Sequence, residues 1–229
     1  MTGRLPAVVC GMLMAASTAT AQIGHLPARS PYRDLEYKQE ITLIAGPFVA
    51  QGDPASVAPR SGMLVGAHYE WRAGGPAHIT GEIAVINSDR RIINPFVSGV
   101  GRDLGTVSRP LYAANVGLGL SLTGAKSWHS IVPMVGAGLG AISDFRTQGD
   151  TGGFKFGTRF ALNWGGGIRW VPRGQWQVRG DITNRLYTIR YPDAYFNAPT
   201  NGTAVLGPQQ AKSFWRNNPA FTLGVSRLF

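Results

Sequence analysis

The sequence is poor in cysteine: one residue, Cys10, in 229. An internal disulfide is excluded, and with it any metal site or nucleophile that needs several thiols. Charge is also sparse, at 15% of residues, against 44% hydrophobic, which excludes a disordered or heavily solvated chain. After residue 21 no stretch holds the roughly 18 consecutive apolar residues that mark a membrane-spanning helix. Helical periodicity is scarce as well. Glycine is the excess, 31 residues or about twice its usual share of ~7%. Helix interiors penalise glycine, whereas tight turns and crowded barrel interiors use it.

Residues 1–21 read as a cleaved signal peptide. Arg4 gives a positive start, Ala7–Ala16 is apolar apart from one glycine, and Ala19-Thr20-Ala21 is a small-x-small cleavage site. The apolar run is too short to span a bilayer, which takes about 20 residues. Cys10 lies inside this segment after Val9, where a lipoprotein site would place a small residue, so no lipid attachment is expected. Cleavage leaves Gln22 first and removes the one thiol. Arg4 goes with it, so the charge changes from 22 − 12 = +10 to 21 − 12 = +9. Export argues against nucleic acid as the partner of this basic chain and favours anionic lipid head groups.

What recurs after residue 36 is alternation with period two. Phe160, Leu162, Trp164, Ile168 and Trp170 share one face of a strand, and Ala161, Asn163, Gly165, Gly167 and Arg169 share the other. Large apolar residues on one side, with small or polar ones opposite, describe a strand between lipid and a narrow lumen. Eight such segments occur, near 37–48, 61–72, 77–87, 110–123, 129–142, 156–171, 176–190 and 218–229. Their connections alternate short and long, and the short ones are 73–76, 124–128 and 172–175. The expected fold is all-β, an eight-stranded antiparallel up-and-down transmembrane barrel with short periplasmic turns and long external loops. It would occupy residues 37–229, after an irregular lead-in over 22–36 that contains Pro27 and Pro31.

Aromatic placement tests that topology independently. Trp71, Trp128, Trp170, Trp176 and Phe229 fall at the periplasmic end, and Tyr112 and Phe156 at the opposite one. Aromatic rings favour the two membrane interfaces, so the first five form a girdle. The segment Phe221–Phe229 resembles the assembly signal that ends outer-membrane barrels, through Phe221, Leu223, Val225 and the terminal Phe229. Arg227 departs from that pattern and suits a side chain snorkelling to the interface. From about residue 37 the chain resembles the OmpA/OmpX-like group of small barrels. The resemblance implies residence in the bacterial outer membrane and recognition of the last strand by the barrel-assembly machinery. Outer-membrane lipids, and lipopolysaccharide among them, are then the expected partners.

The inward faces collect Glu40, His68, Glu70, Arg72, Glu82, Arg159, Arg169, Arg179, Asp181 and Arg185. An eight-stranded barrel is only wide enough to be filled by side chains, so these charges should pair into a network that plugs the lumen. A narrow ion-conducting channel is the first alternative, and a barrel enzyme that modifies lipid A or phospholipids is the second. Such an enzyme needs a nucleophile, a histidine and an acid together. His25, His68, His78 and His129 are assigned to the periplasmic end or the lumen, no Gly-x-Ser-x-Gly occurs, and no nucleophile–base pair is expected. No pattern calls for a cofactor or a metal. Gly136, Gly138 and Gly140 read as the inward side of a strand, Asp150-Thr151-Gly152 as a turn. Two external loops are rich in cations and aromatics: Arg90, Arg91, Arg102 and Arg109 in one; Tyr191, Tyr195, Phe196, Phe214, Trp215 and Arg216 in the other. They either hold lipopolysaccharide phosphates or another surface partner, or order the loops themselves.

Overall fold

The computed structural model describes residues 30–200 and 202–229. The segment read as a signal peptide lies outside them. Among the described residues twelve strands form in chain order: β1 (Tyr32–Asp34), β2 (Gln39–Phe48), β3 (Gly62–Gly74), β4 (Ala77–Asn87), β5 (Asp89–Ile93), β6 (Asp103–Ser108), β7 (Leu111–Ser121), β8 (Lys126–Trp128), β9 (Ile131–Ser143), β10 (Thr158–Trp170), β11 (Trp176–Arg190) and β12 (Ser213–Leu228). Eight of these close a ring in the order β2-β3-β4-β7-β9-β10-β11-β12. Every neighbouring pair is antiparallel, and β12 returns to β2, where Val225 faces Leu43. The ring is therefore the barrel that the alternation predicts.

The alternation works inside out. Along β2 exposed and buried residues alternate without a break, and the exposed face is the apolar one. Leu43 is 70% exposed and Leu223 72%, while Glu40, Thr42, Asn218 and Ser226 are fully buried. A soluble monomer rarely shows apolar patches beyond a few hundred Å². Here large apolar residues face outward on all eight strands, which suits hydrocarbon solvent, and the closed ladder leaves no backbone edge unpaired there. Inward glycines let neighbouring strands approach closely. A Cβ on Gly165 would stand 2.1 Å from the Ile182 carbonyl oxygen, and one on Gly138 2.4 Å from that of Val116.

The short connections and both ends of the ring's chain lie at one end, here the turn end; the four long connections make the loop end. Four features differ from the sequence reading. The lead-in is not wholly irregular, because β1 pairs with β8 inside the second turn, Tyr32 opposite Trp128. β3 runs on to Gly74, leaving Gly75, at φ +53°, and Pro76 to turn the chain. The loop after β4 contains a hairpin, β5–β6, stapled by an ion pair between Arg91 and Asp103. β12 begins at Ser213 rather than near 218, since β11 is long enough to pair Arg190 with Ser213.

Candidate functional site

Charges of one sign on β2, β3 and β4 meet charges of the other sign on β10 and β11. Glu70 on β3 and Arg169 on β10 are four strands apart round a ring of eight, so their contact crosses the bore. Arg169 donates through Nη1 to Glu40 at 3.1 Å and through Nη2 to Glu70. Arg179 reaches Glu40 at 3.3 Å and Glu70 at 3.4 Å, and holds Asp181 with both Nε (2.6 Å) and Nη2 (2.9 Å). One layer towards the loop end, Arg185 and Asn115 donate to Glu82. His68 stands between the layers, 3.5 Å from Glu70 and 3.8 Å from Glu82. Thr42 donates to Glu40 at 2.8 Å. Four carboxylates thus face three guanidinium groups, and His68 and His78 stand against the excess acid. A cavity of about 90 Å³ remains beside His68, Asn163 and Thr183, over the glycine-rich inner face of β9.

Eight of the ten residues expected in the lumen network meet there. Arg72 and Arg159 do not. Arg72 lies at the turn end, where Nη2 bonds the carbonyls of Leu35 and Tyr37 and the guanidinium lies 5.4 Å from the Tyr37 ring. Arg159 lies at the loop end and donates to the carbonyls of Phe156 (2.8 Å) and Lys155 (3.3 Å). Strand parity puts both on the inward face, but their heights put both beyond the charged layers. His78 was missed, although it shares the inward parity of Glu82. Its Nδ1 sits 2.6 Å from Glu70 and its Nε2 2.8 Å from the Ser121 hydroxyl. That is the order of atoms in a serine–histidine–acid triad, a hydrogen-bonded arrangement that the sequence reading does not anticipate. The Ser121 hydroxyl also lies 3.0 Å from Met134 Sδ, and Ser121 is only 3% exposed. His129 projects elsewhere, edge-on to Trp128 in the second turn, and His25 lies outside the described residues.

Apolar clusters lie at both ends of the bore. At the turn end Leu35, Val132, Met134, Val171 and Leu228 form a small apolar cluster. At the loop end a larger core joins strand residues such as Phe48, Ile86 and Tyr187 to all four loops, through Val57, Ile93, Phe154 and Tyr195. Tyr191 and Tyr195 stack at 5.9 Å, and Phe156 meets Tyr187 edge-on at 5.6 Å. Phe156 is therefore core rather than an interface aromatic. Asp53 accepts the Tyr191 hydroxyl at 2.7 Å and the N–H groups of Val57 and Ala58. Burial, together with that hydrogen bond, pushes the Tyr191 phenol well above its usual range. Arg90 pairs with Asp150 at 2.5 Å under the Phe154 ring. Arg90, Arg216, Tyr191 and Tyr195 thus order the loops and are withdrawn from the surface.

Trp71, Trp128, Trp170, Trp176 and Phe229 are all exposed at the turn end, and Tyr112 is exposed at the loop end. Phe221, Leu223, Val225 and Phe229 line the outward face of β12, with the Arg227 guanidinium 5.8 Å from the Phe229 ring. Among the described residues no group of acids and histidines could hold a metal ion.

A closed ring of eight strands, apolar outside and charged within, defines a small transmembrane β-barrel. No known sequence family and no curated protein matches the chain. Solved structures do. Neisserial surface protein A is 10% identical, with a TM-score of 0.50 over 83% of this chain and 97% of that one. The outer membrane protein OprG from Pseudomonas aeruginosa is 13% identical, with a TM-score of 0.50 over 84% of this chain and 97% of that one. At such identity the likeness is one of fold, and the fold is that of small eight-stranded outer-membrane barrels.

Proposed function

We propose that the protein is an integral outer-membrane barrel with a structural or surface-interaction role, exported through a signal peptide cleaved after Ala21. The turn end faces the periplasm and the loop end the exterior, and β12 is the strand offered to the assembly machinery. The observation that carries the reading is the ion-paired network of Glu40, Glu70, Arg169 and Arg179 across the bore. An aromatic core closes the loop end above it. With the middle charged and paired and the top apolar and filled, no wetted path runs from end to end. Ser121, His78 and Glu70 serve as a buried hydrogen-bonded strut, since no substrate has an approach to the hydroxyl.

The barrel refolded into a planar bilayer tests this directly. It should show no steady single-channel steps. Regular openings would instead establish the narrow channel, which the cavity beside His68 favours.

A further inference from the structure

The lipid-facing wall is hollowed where four adjacent strands carry small residues. Across β3, β4, β7 and β9 a single row reads Ala67, Ile83, Ala114, Ala141, each paired with the next. The next row towards the loop end is Val65, Val85, Tyr112, Ser143. The alanines leave a depression of about 450 Å³ in the wall, with Tyr112 and Phe145 at its loop-end margin.

Immediately above it the chain builds a hook. The Ser143 hydroxyl accepts the Phe145 N–H at 2.9 Å, and Asp144 Oδ1 accepts the N–H groups of Arg146 (3.1 Å) and Gly157 (3.0 Å). Phe145 is held at φ +53°, a conformation a bulky residue rarely adopts. Its ring lies 5.2 Å from that of Tyr112, yet the residue is 72% exposed. A backbone pinned in a costly conformation to display an aromatic to lipid points to a partner outside the chain.

Cations crown the hook. Tyr112, Ser143 and Thr158 are side by side in the ladder, so Arg109, Arg146 and Arg159 sit at the loop ends of three adjacent strand segments. None of the three pairs with a carboxylate within 4.0 Å among the described residues, whereas Arg90, Arg91 and Lys212 do. Arg109 Nε is buried without a partner. Arg109 Nη1 donates to the Ser108 carbonyl at 3.4 Å, and Arg159 donates to Phe156 and Lys155. Asp144 is near Arg159, but its Oδ1 is engaged with backbone, and Arg190 adds a further cation close by.

We infer that this face binds a phosphorylated glycolipid of the outer leaflet. One acyl chain lies in the alanine depression against Tyr112 and Phe145, and a phosphate is held by Arg146 with Arg109. The inference rests on the loop end facing outward, and the order of the features from bilayer to exterior matches such a lipid: small residues, aromatic rings, then guanidinium groups.

The test uses the full barrel in detergent micelles, titrated with bis-phosphorylated lipid A, dephosphorylated lipid A or phosphatidylglycerol, and read by native mass spectrometry. Bis-phosphorylated lipid A should be retained best. Each arginine removed, in Arg146→Gln and then Arg109→Gln/Arg146→Gln, should weaken retention about fivefold. Ala114→Leu fills the depression and should weaken both lipid A forms without changing the preference for phosphate. Equal retention of all three lipids would overturn the site, as would arginine variants that bind like the wild type. A wall that instead pairs two copies of the chain would show as a doubled mass, abolished by Ala114→Leu, and would overturn it too. Unboiled and boiled gel mobility checks each variant for the closed barrel. A wild-type protein without that shift refutes the barrel itself, whereas a shifted protein lacking lipid preference refutes this site alone.

Discussion

The middle and the loop end of the bore are lined by opposite physics. In the middle the lining is ionic: Glu40, Glu70, Arg169 and Arg179 are nearly inaccessible and pair with one another across the ring. Towards the loop end the filling is aromatic and aliphatic, and its partners come from loops far apart in sequence. The ionic half is brittle. It holds only while every charge keeps its partner, since a buried ion left alone is expensive. The apolar half degrades gradually, because removal of one ring leaves the others in contact. The contrast also assigns roles: the charged layers fix which strands face one another across the bore, and the apolar cap fixes how the loops are presented.

The largest effect should come from breaking the ionic half. Arg169→Ala leaves Glu40 and Glu70 with Arg179 as their one remaining guanidinium partner and should cost about 3–5 kcal/mol. Urea unfolding in micelles, followed by the loss of the fast-migrating unboiled gel band, measures it. An unchanged midpoint would mean that the network does not hold the barrel. Phe154→Ala attacks the apolar half and should cost about 3 kcal/mol, confined to the loops. It should expose 144–157 and 191–212 to protease while leaving the urea midpoint of the barrel in place. If both readouts move together, the two halves are one cooperative unit.

The smallest effect concerns the exposed β5–β6 hairpin. The hydrogen bond from Arg91, with one from the Gly105 N–H, holds Asp103 down at about 2, below its ordinary 3.8. A lowered carboxylate pKa contributes stability that is present above 3.8 and is lost as pH falls through 3.8 towards 2. The protection factors of amides in residues 89–108 should therefore fall over that interval, and Asp103→Asn should remove the dependence.

The barrel was legible in the sequence because alternation is a local signal. Parity assigned Glu70, Arg169 and Arg179 to the inner face, and that face is where they meet. Parity carries no height, however, which is why Arg72 and Arg159 were grouped with charges they do not reach. His78 could have been found by the rule that placed Glu82, as both lie inward on β4. The loop core could not. Asp53 with Tyr191, and Arg90 with Asp150, join separate loops, and nothing in the spacing of either pair announces the contact. The short strands β1 and β8 escaped for a similar reason, as three residues are too few to show a period.

The seam between β12 and β2 has a consequence in time. These are the eighth and first strands of the ring, and the carbonyl of Phe229 takes the N–H groups of Lys38 and Gln39 while its own N–H bonds the Gln39 carbonyl. Until that meeting, any partial assembly is a curled sheet with two bare edges, each able to recruit a stranger strand. The contacts that end this exposure are also the most distant along the chain, so they form slowly. The molecule therefore passes from a vulnerable ribbon to a sealed cylinder in one final step.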